Sequence, residues 1–394
     1  MASAAPVKKV LVPVAAGSEP VEASVPIDVL RRAGAHVTVA AAGAAGGGLL
    51  VEAMYGVKVV ADADVADCAD ASYDLVVLAG GIPGAENLGG CAALESIVRR
   101  HALKGGLYAA ICAAPPLALA RWGLLNGVKA TAHPAFVDKF PAEVTAVDAN
   151  VVVDGKVVTG RGPATATEFA FALVEQLYGK DRVDQIAKPM LVRSEPGYTI
   201  KELNPVQWQC SGTPKVLIPL ANGSEEMEVM TIIDVLRRAE ADVVVASAED
   251  GLEVAARYGT RIVADVTLDA AGQQFDLIIV PGGMPGATTL GGKEELVGLL
   301  KRQAEANRPY GAICSATAQV LEPHGLLKGK KATTCPSMAG LLADPSECEN
   351  RVVVDGNLIT SRSPGTAMEF ALAAVEKLLG PEAAREVAEA LLFV

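Results

Sequence analysis

The chain is poor in aromatic residues and in histidine. Tryptophan, tyrosine and phenylalanine make up only 4% of its 394 residues, and histidine occurs four times. A core built from this sequence must be aliphatic and rich in alanine, which suits helices laid on a parallel sheet. The seven cysteines fall at spacings with no zinc pattern. Their odd number speaks against a disulfide framework and for reduced thiols in a cytoplasmic protein, with the nucleus also open to it. Positive charge is short as well: 34 lysines and arginines stand against 46 acidic residues, a net charge of −12. That balance argues against nucleic acid or an anionic membrane surface as the main partner. No apolar run reaches the roughly 18 residues of a membrane span. A targeting leader is not expected either. Lys8-Lys9 before Val10-Leu-Val-Pro-Val imitates a signal peptide, but the same segment recurs in mid-chain at Lys215, so it reads as a strand.

What the sequence does contain, it contains twice. Lys9-Val-Leu-Val-Pro-Val returns as Lys215-Val-Leu-Ile-Pro-Leu, and Ile27-Asp-Val-Leu-Arg-Arg-Ala as Ile233-Asp-Val-Leu-Arg-Arg-Ala. Tyr73-Asp-Leu-Val-Val-Leu-Ala-Gly-Gly returns as Phe275-Asp-Leu-Ile-Ile-Val-Pro-Gly-Gly. A period of roughly 200 residues marks a duplicated domain, not a solenoid repeat of roughly 20–50 residues. Apolar residues make up 51% of the chain, enough for a core in each half. The expected boundaries are 7–191 and 214–394, joined by a linker over 192–213. That linker carries Pro196, Gly197, Pro205 and Gly212 and docks through Trp208.

In the first copy, strands are expected at Val10 to Val14, Val37 to Ala41, Leu75 to Leu78 and Tyr108 to Ile111. Helices are expected at Glu22 to Ala33, Leu94 to His101 and Ala164 to Tyr178. Gly43 to Gly48 reads as a flexible loop. Val151 to Val153 and Val157 to Thr159 flank a hairpin signal at Asp154-Gly155. Strands alternating with helices predict an α/β three-layer sandwich on a mainly parallel sheet.

Candidate chemistry gathers at strand ends. Leu107-Tyr-Ala-Ala-Ile-Cys112-Ala-Ala-Pro-Pro116 reads as a buried strand that turns sharply at Cys112 into a helix. Pro115 and Pro116 fit only the first helical turn. A thiol at that helix end would be favoured as thiolate. For an isolated cysteine, burial as a small hydrophobe is the commoner state. This one recurs as Cys314 in Tyr310-Gly-Ala-Ile-Cys-Ser315. Glu22 alone would be a dipole-favoured surface carboxylate at a helix start, and Gly80-Gly81 alone a turn. Both recur, as Glu228 and Gly282-Gly283, and packing does not demand a glutamate twice. His133, in Thr131-Ala-His-Pro134, is the one histidine near a strand end after Cys112. By itself it fits a satisfied, partly buried histidine equally well, and the second copy has Cys335 in its place.

Glu22, Gly80-Gly81, Ala109-Ala-Ile-Cys112, Thr131-Ala-His-Pro134 and Gly160-Arg-Gly-Pro163 together resemble the signature of the DJ-1/PfpI family, nearest to the tandem DJ-1-like proteins of plants. The resemblance covers both halves, all but the linker. It implies two tandem flavodoxin-like three-layer αβα sandwiches with a nucleophile elbow in each, packed as an intramolecular pseudo-dimer that is open to further homo-oligomerisation. It further implies an oxidation-prone cysteine hydrogen-bonded by a protonated glutamate, Glu22 to Cys112 and Glu228 to Cys314. Backbone N–H groups of Gly81 and Ala113, and of Gly283 and Ser315, would form the oxyanion sites beside Gly80 and Gly282. His133 matches the family's histidine. The implied activity is a glyoxalase that needs no glutathione, cofactor or metal. It would turn small 2-oxoaldehydes into hydroxy acids, methylglyoxal into lactate and glyoxal into glycolate. The competing reading is a redox sensor or chaperone built on an exposed, low-pKa Cys112. Repair of glycated thiols or amines would use the same chemistry. A peptidase or amidotransferase fits less well, because Glu22 would abut the nucleophile instead of orienting His133.

Overall fold

Runs of valine, leucine and isoleucine become parallel strands here because helices cover the sheet on both faces. The computed structural model describes residues 7–43, 48–193, 199–210 and 212–393. Contacts divide the chain into two units, residues 1–186 and 187–394. In the first, β1 (Lys9–Val14), β2 (His36–Ala41), β3 (Ala63–Asp64), β4 (Leu75–Leu78), β5 (Leu107–Ile111), β6 (Val151–Asp154) and β7 (Val157–Gly160) form one sheet in the order β6-β7-β5-β4-β1-β2-β3. All pairs are parallel except β6 with β7. Helices α1 (Pro20–Arg32) and α4 (Ala166–Tyr178) pack against each other, as do α2 (Gly84–Gly90) and α3 (Ala92–Leu103). Every residue of β4 is fully buried between these layers. β1 pairs with β2 on one side and β4 on the other, so the strand order reverses there. Ligand sites in such sheets lie beyond the strand ends at that reversal. The loop after β1 leads to Glu22, β4 to Gly80 and β5 to Cys112.

The expected three-layer sandwich is observed, with strand ends within a residue or so of those expected. The hairpin turn is displaced by one residue. Asp154 pairs with Val157, so Gly155 and Lys156 make the turn, and Gly155 has φ 62°. Asp154 stays in the strand because its carboxylate accepts from the Lys129 N–H at 2.8 Å. Two helices are absent from the sequence reading. Gly84-Ala-Glu-Asn-Leu-Gly-Gly looks like a loop but forms α2, and Lys180–Met190 forms a further helix despite Pro189. Residues 44–47 of the expected loop, and residues 194–198 and 211 of the expected linker, lie outside the described residues.

The second unit repeats the strand order and adds Lys201–Leu203 at the edge, parallel to Val352–Asp355. Trp208 docks as expected: it is 5% exposed, and its indole N–H donates to the Gly356 carbonyl at 3.0 Å. Among the described residues, no helix is long and apolar enough to cross a membrane.

Candidate active site

Cys112 follows the last residue of β5 with φ 65°, a left-handed conformation uncommon for a residue with a side chain. Its backbone is held from both sides: its N–H donates to Gly160 O at 3.0 Å, and its carbonyl accepts from the His133 N–H at 3.0 Å. The chain then enters the helical turn Pro115–Ala120, with the Leu117 N–H bonded to Ala113 O. Both prolines sit in that first turn, where a missing donor costs nothing. This is the sharp strand-to-helix turn that the sequence predicts.

Glu22 is not a surface residue at a helix start, as it would be if it stood alone. It is fully buried, and its Oε2 accepts from the Gly80 N–H at 2.9 Å. Its side chain is hydrogen-bonded to the Cys112 thiol. Gly80 makes the meeting possible: a Cβ there would lie 2.6 Å from Cys112 Cβ and 2.6 Å from Glu22 Oε2. Gly81 serves differently. It has φ 90°, and a Cβ would come within 2.5 Å of the Gly17 carbonyl and the Glu19 N–H. Its own N–H reaches the Cys112 sulfur.

Burial pushes the Cys112 thiol well above its ordinary range, and the adjacent Glu22 carboxylate pushes the same way. The Gly81 N–H opposes them. The expectation of an exposed, readily ionised thiol is therefore corrected. Cys112 is only 7% exposed, and burial with a neighbouring negative charge outweighs the helix end. Two acidic groups in hydrogen-bond contact inside a protein share a proton as a pair.

His133 lies beside the elbow through its backbone bond to Cys112 and is half-buried. Its Nδ1 accepts from the Ala135 N–H at 3.2 Å, capping the turn Pro134–Lys139, so the ring hydrogen sits on Nε2. Glu19 is absent from the sequence reading. It caps α1, its Oε2 accepting from the Glu22 N–H at 2.6 Å, and its charge adds to the upward push on Cys112. The signal for it was the Glu-Pro pair at the helix start.

The second unit builds the same frame. Cys314 has φ 58°, Glu228 is fully buried with Oε2 accepting from the Gly282 N–H at 2.8 Å, and a Cβ on Gly282 would lie 2.7 Å from Cys314 Cβ. Ser315 follows Cys314 as Ala113 follows Cys112. The difference is at the histidine position, where Cys335 hydrogen-bonds the Cys314 side chain.

Comparison with known proteins agrees with this duplication. The DJ-1/PfpI family model matches residues 8–176 and again residues 214–377. The chain is 54% identical over 388 residues to Protein DJ-1 homolog B of Arabidopsis thaliana, covering 98% of this chain and 88% of that protein. It is 50% identical over 389 residues to Protein DJ-1 homolog A of the same plant, covering 98% of each. It is also 32% identical over 174 residues to a glutathione-independent glyoxalase of Caenorhabditis elegans, covering 44% of this chain and 90% of that protein.

Proposed function

On the premise that the chain belongs to the DJ-1/PfpI family, we propose that its first unit is a glutathione-independent glyoxalase acting on small 2-oxoaldehydes. The observation that carries this reading is the buried Cys112–Glu22 hydrogen bond with the Gly81 N–H at the sulfur. The relative from Caenorhabditis elegans that bears this activity in its name supports the choice of substrate class.

The steps follow from the proton that the pair shares. A free thiolate beside a charged Glu22 is disfavoured, so ionisation of Cys112 delivers the proton to Glu22. The sulfur adds to the aldehyde carbon of methylglyoxal and forms a hemithioacetal. Its oxyanion meets the N–H groups of Gly81 and Ala113, and Glu22 then gives it the proton. The carboxylate so regenerated removes the hydrogen from the former aldehyde carbon, and an enediol forms. Returning the proton to the neighbouring carbon leaves a thioester of lactate. Water hydrolyses the thioester and frees Cys112. The net change is addition of water, with oxidation at one carbon balanced by reduction at the next. His133, with its hydrogen on Nε2, is suited to donate to the substrate oxygen or to orient the water. General acid–base help of this kind is worth about 10²–10⁴-fold.

Lactate formation from methylglyoxal in thiol-free buffer, followed by proton NMR, tests the proposal with wild type and Glu22→Gln. Wild type should produce lactate and Glu22→Gln should lose about 10²-fold or more. Absence of lactate with reduced wild-type protein refutes the activity. Undiminished turnover in Glu22→Gln refutes the proton route.

A further inference from the structure

We propose that the second unit carries a peroxide-reactive dithiol in which Cys335 is the attacking sulfur and Cys314, on the elbow, is the resolving thiol. The two side chains are hydrogen-bonded to each other. The strand end before Cys335 is fastened to the elbow by the Thr334 hydroxyl, which donates to the Cys314 carbonyl at 2.7 Å. On the far side, Cys335 Sγ lies 3.6 Å from Ser337 Oγ.

The surroundings favour ionisation of Cys335 over Cys314. The Cys314 thiol donates to it, and the Ser337 hydroxyl and the Met338 N–H add to the effect. Together they bring it down to about 6 against the cost of burial. Cys314 is driven the opposite way by the Cys335 hydrogen bond, by burial and by the charges of Glu228, Cys335 and Glu225. In the first unit the elbow thiol is hydrogen-bonded to its glutamate. Here the strongest influence on the elbow thiol is the second cysteine. The two thiols are thus driven in opposite directions, Cys335 down and the elbow Cys314 up. Cys335 is nearly buried, at 8% exposed, so the oxidant must be as small as hydrogen peroxide.

The chemistry balances with hydrogen peroxide as oxidant. Cys335 attacks one peroxide oxygen; an S–O bond forms, the O–O bond breaks, and the leaving hydroxide takes up a proton as water. The Cys314 sulfur then attacks the sulfenic sulfur; an S–S bond forms, the S–O bond breaks, and a second water leaves with the thiol proton. Two thiols lose two electrons and one peroxide is reduced to two waters. A low-molecular-weight dithiol reverses the change.

The test uses the full chain, reduced, given one equivalent of peroxide, alkylated and mapped by peptide mass spectrometry. A Cys314–Cys335 disulfide is expected. Dimedone should label Cys335 in Cys314→Ser, at pH 7, at least about tenfold faster than it labels Cys314 in Cys335→Ser. The wild-type map needs no variant to fold, and Ser337→Ala should slow disulfide formation without preventing it. Sulfenic or sulfinic acid on Cys314 with Cys335 still alkylatable overturns the proposal. So does a disulfide to Cys348, or survival of both thiols in excess peroxide.

Discussion

Replacing Gly80 with alanine puts a single methyl group between the two groups assigned to catalysis. The added Cβ would lie 2.6 Å from Cys112 Cβ, 2.6 Å from Glu22 Oε2 and 2.9 Å from Ile111 O. Ordinary contact begins near 3.4 Å, so Cys112 and Glu22 must separate by about 1 Å, a misplacement worth about 10²-fold in rate. The Gly80 N–H that binds Glu22 Oε2 survives the change. Overpacking a tight interior costs about 1–3 kcal/mol, a fall of a few degrees in Tm for a domain of this size. The assay is kcat/KM for methylglyoxal beside a melting curve. Gly80→Ala should lose about 10²-fold in kcat/KM while remaining folded at assay temperature. Gly282→Ala makes the same intrusion at Cys314 and Glu228, with distances of 2.7 and 2.8 Å, and serves as the matched control. It should leave turnover nearly unchanged. If folded Gly80→Ala keeps kcat/KM within about threefold of wild type, close approach of Cys112 and Glu22 does not limit the reaction.

Three further outcomes are expected. Alkylation of Cys112 by iodoacetamide should have its midpoint above the ordinary thiol value of about 8.5, and Glu22→Gln should lower that midpoint by removing one of its causes. Because the folded thiol is raised, the stability it contributes is complete below its unfolded value and is lost as pH climbs through the window above it. Denaturant melts of wild type and Cys112→Ala should therefore diverge above about pH 8.5. Cys335→His in a Cys112→Ala background should raise residual lactate formation if the imidazole is what the second site lacks, as the same NMR assay would show. Trp208→Ala should destabilise the second unit by about 3–5 kcal/mol in urea melts, since it removes both the buried ring and the bond to Gly356.

Much of this molecule was legible in its sequence because the second copy separates signal from accident. A lone Cys112 or Glu22 has an ordinary structural reading, whereas the pair recurring as Cys314 and Glu228 does not. Strands were legible because a sheet buried on both faces needs continuous apolar runs, as at Leu75–Leu78. Helix α2 was not, because its glycines are there for close approach: a Cβ at Gly84 would strike Ser18, and one at Gly89 would strike Leu117. The ionisation of Cys112 was not legible for a related reason. Sequence shows the helix end that favours a thiolate but not the burial and the carboxylate that oppose it. The contact between Cys314 and Cys335 depends on superposing the two copies, and its electrical consequence only on the side chains gathered around Cys335.

The central claim is that aldehyde conversion runs through Cys112 of the first unit. Its most direct test is the rate of lactate formation by full-length Cys112→Ala and Cys314→Ala, measured side by side with wild type in thiol-free buffer. Cys112→Ala should abolish most of the turnover and Cys314→Ala should leave most of it. Turnover that persists in Cys112→Ala, or that disappears in Cys314→Ala alone, contradicts the assignment.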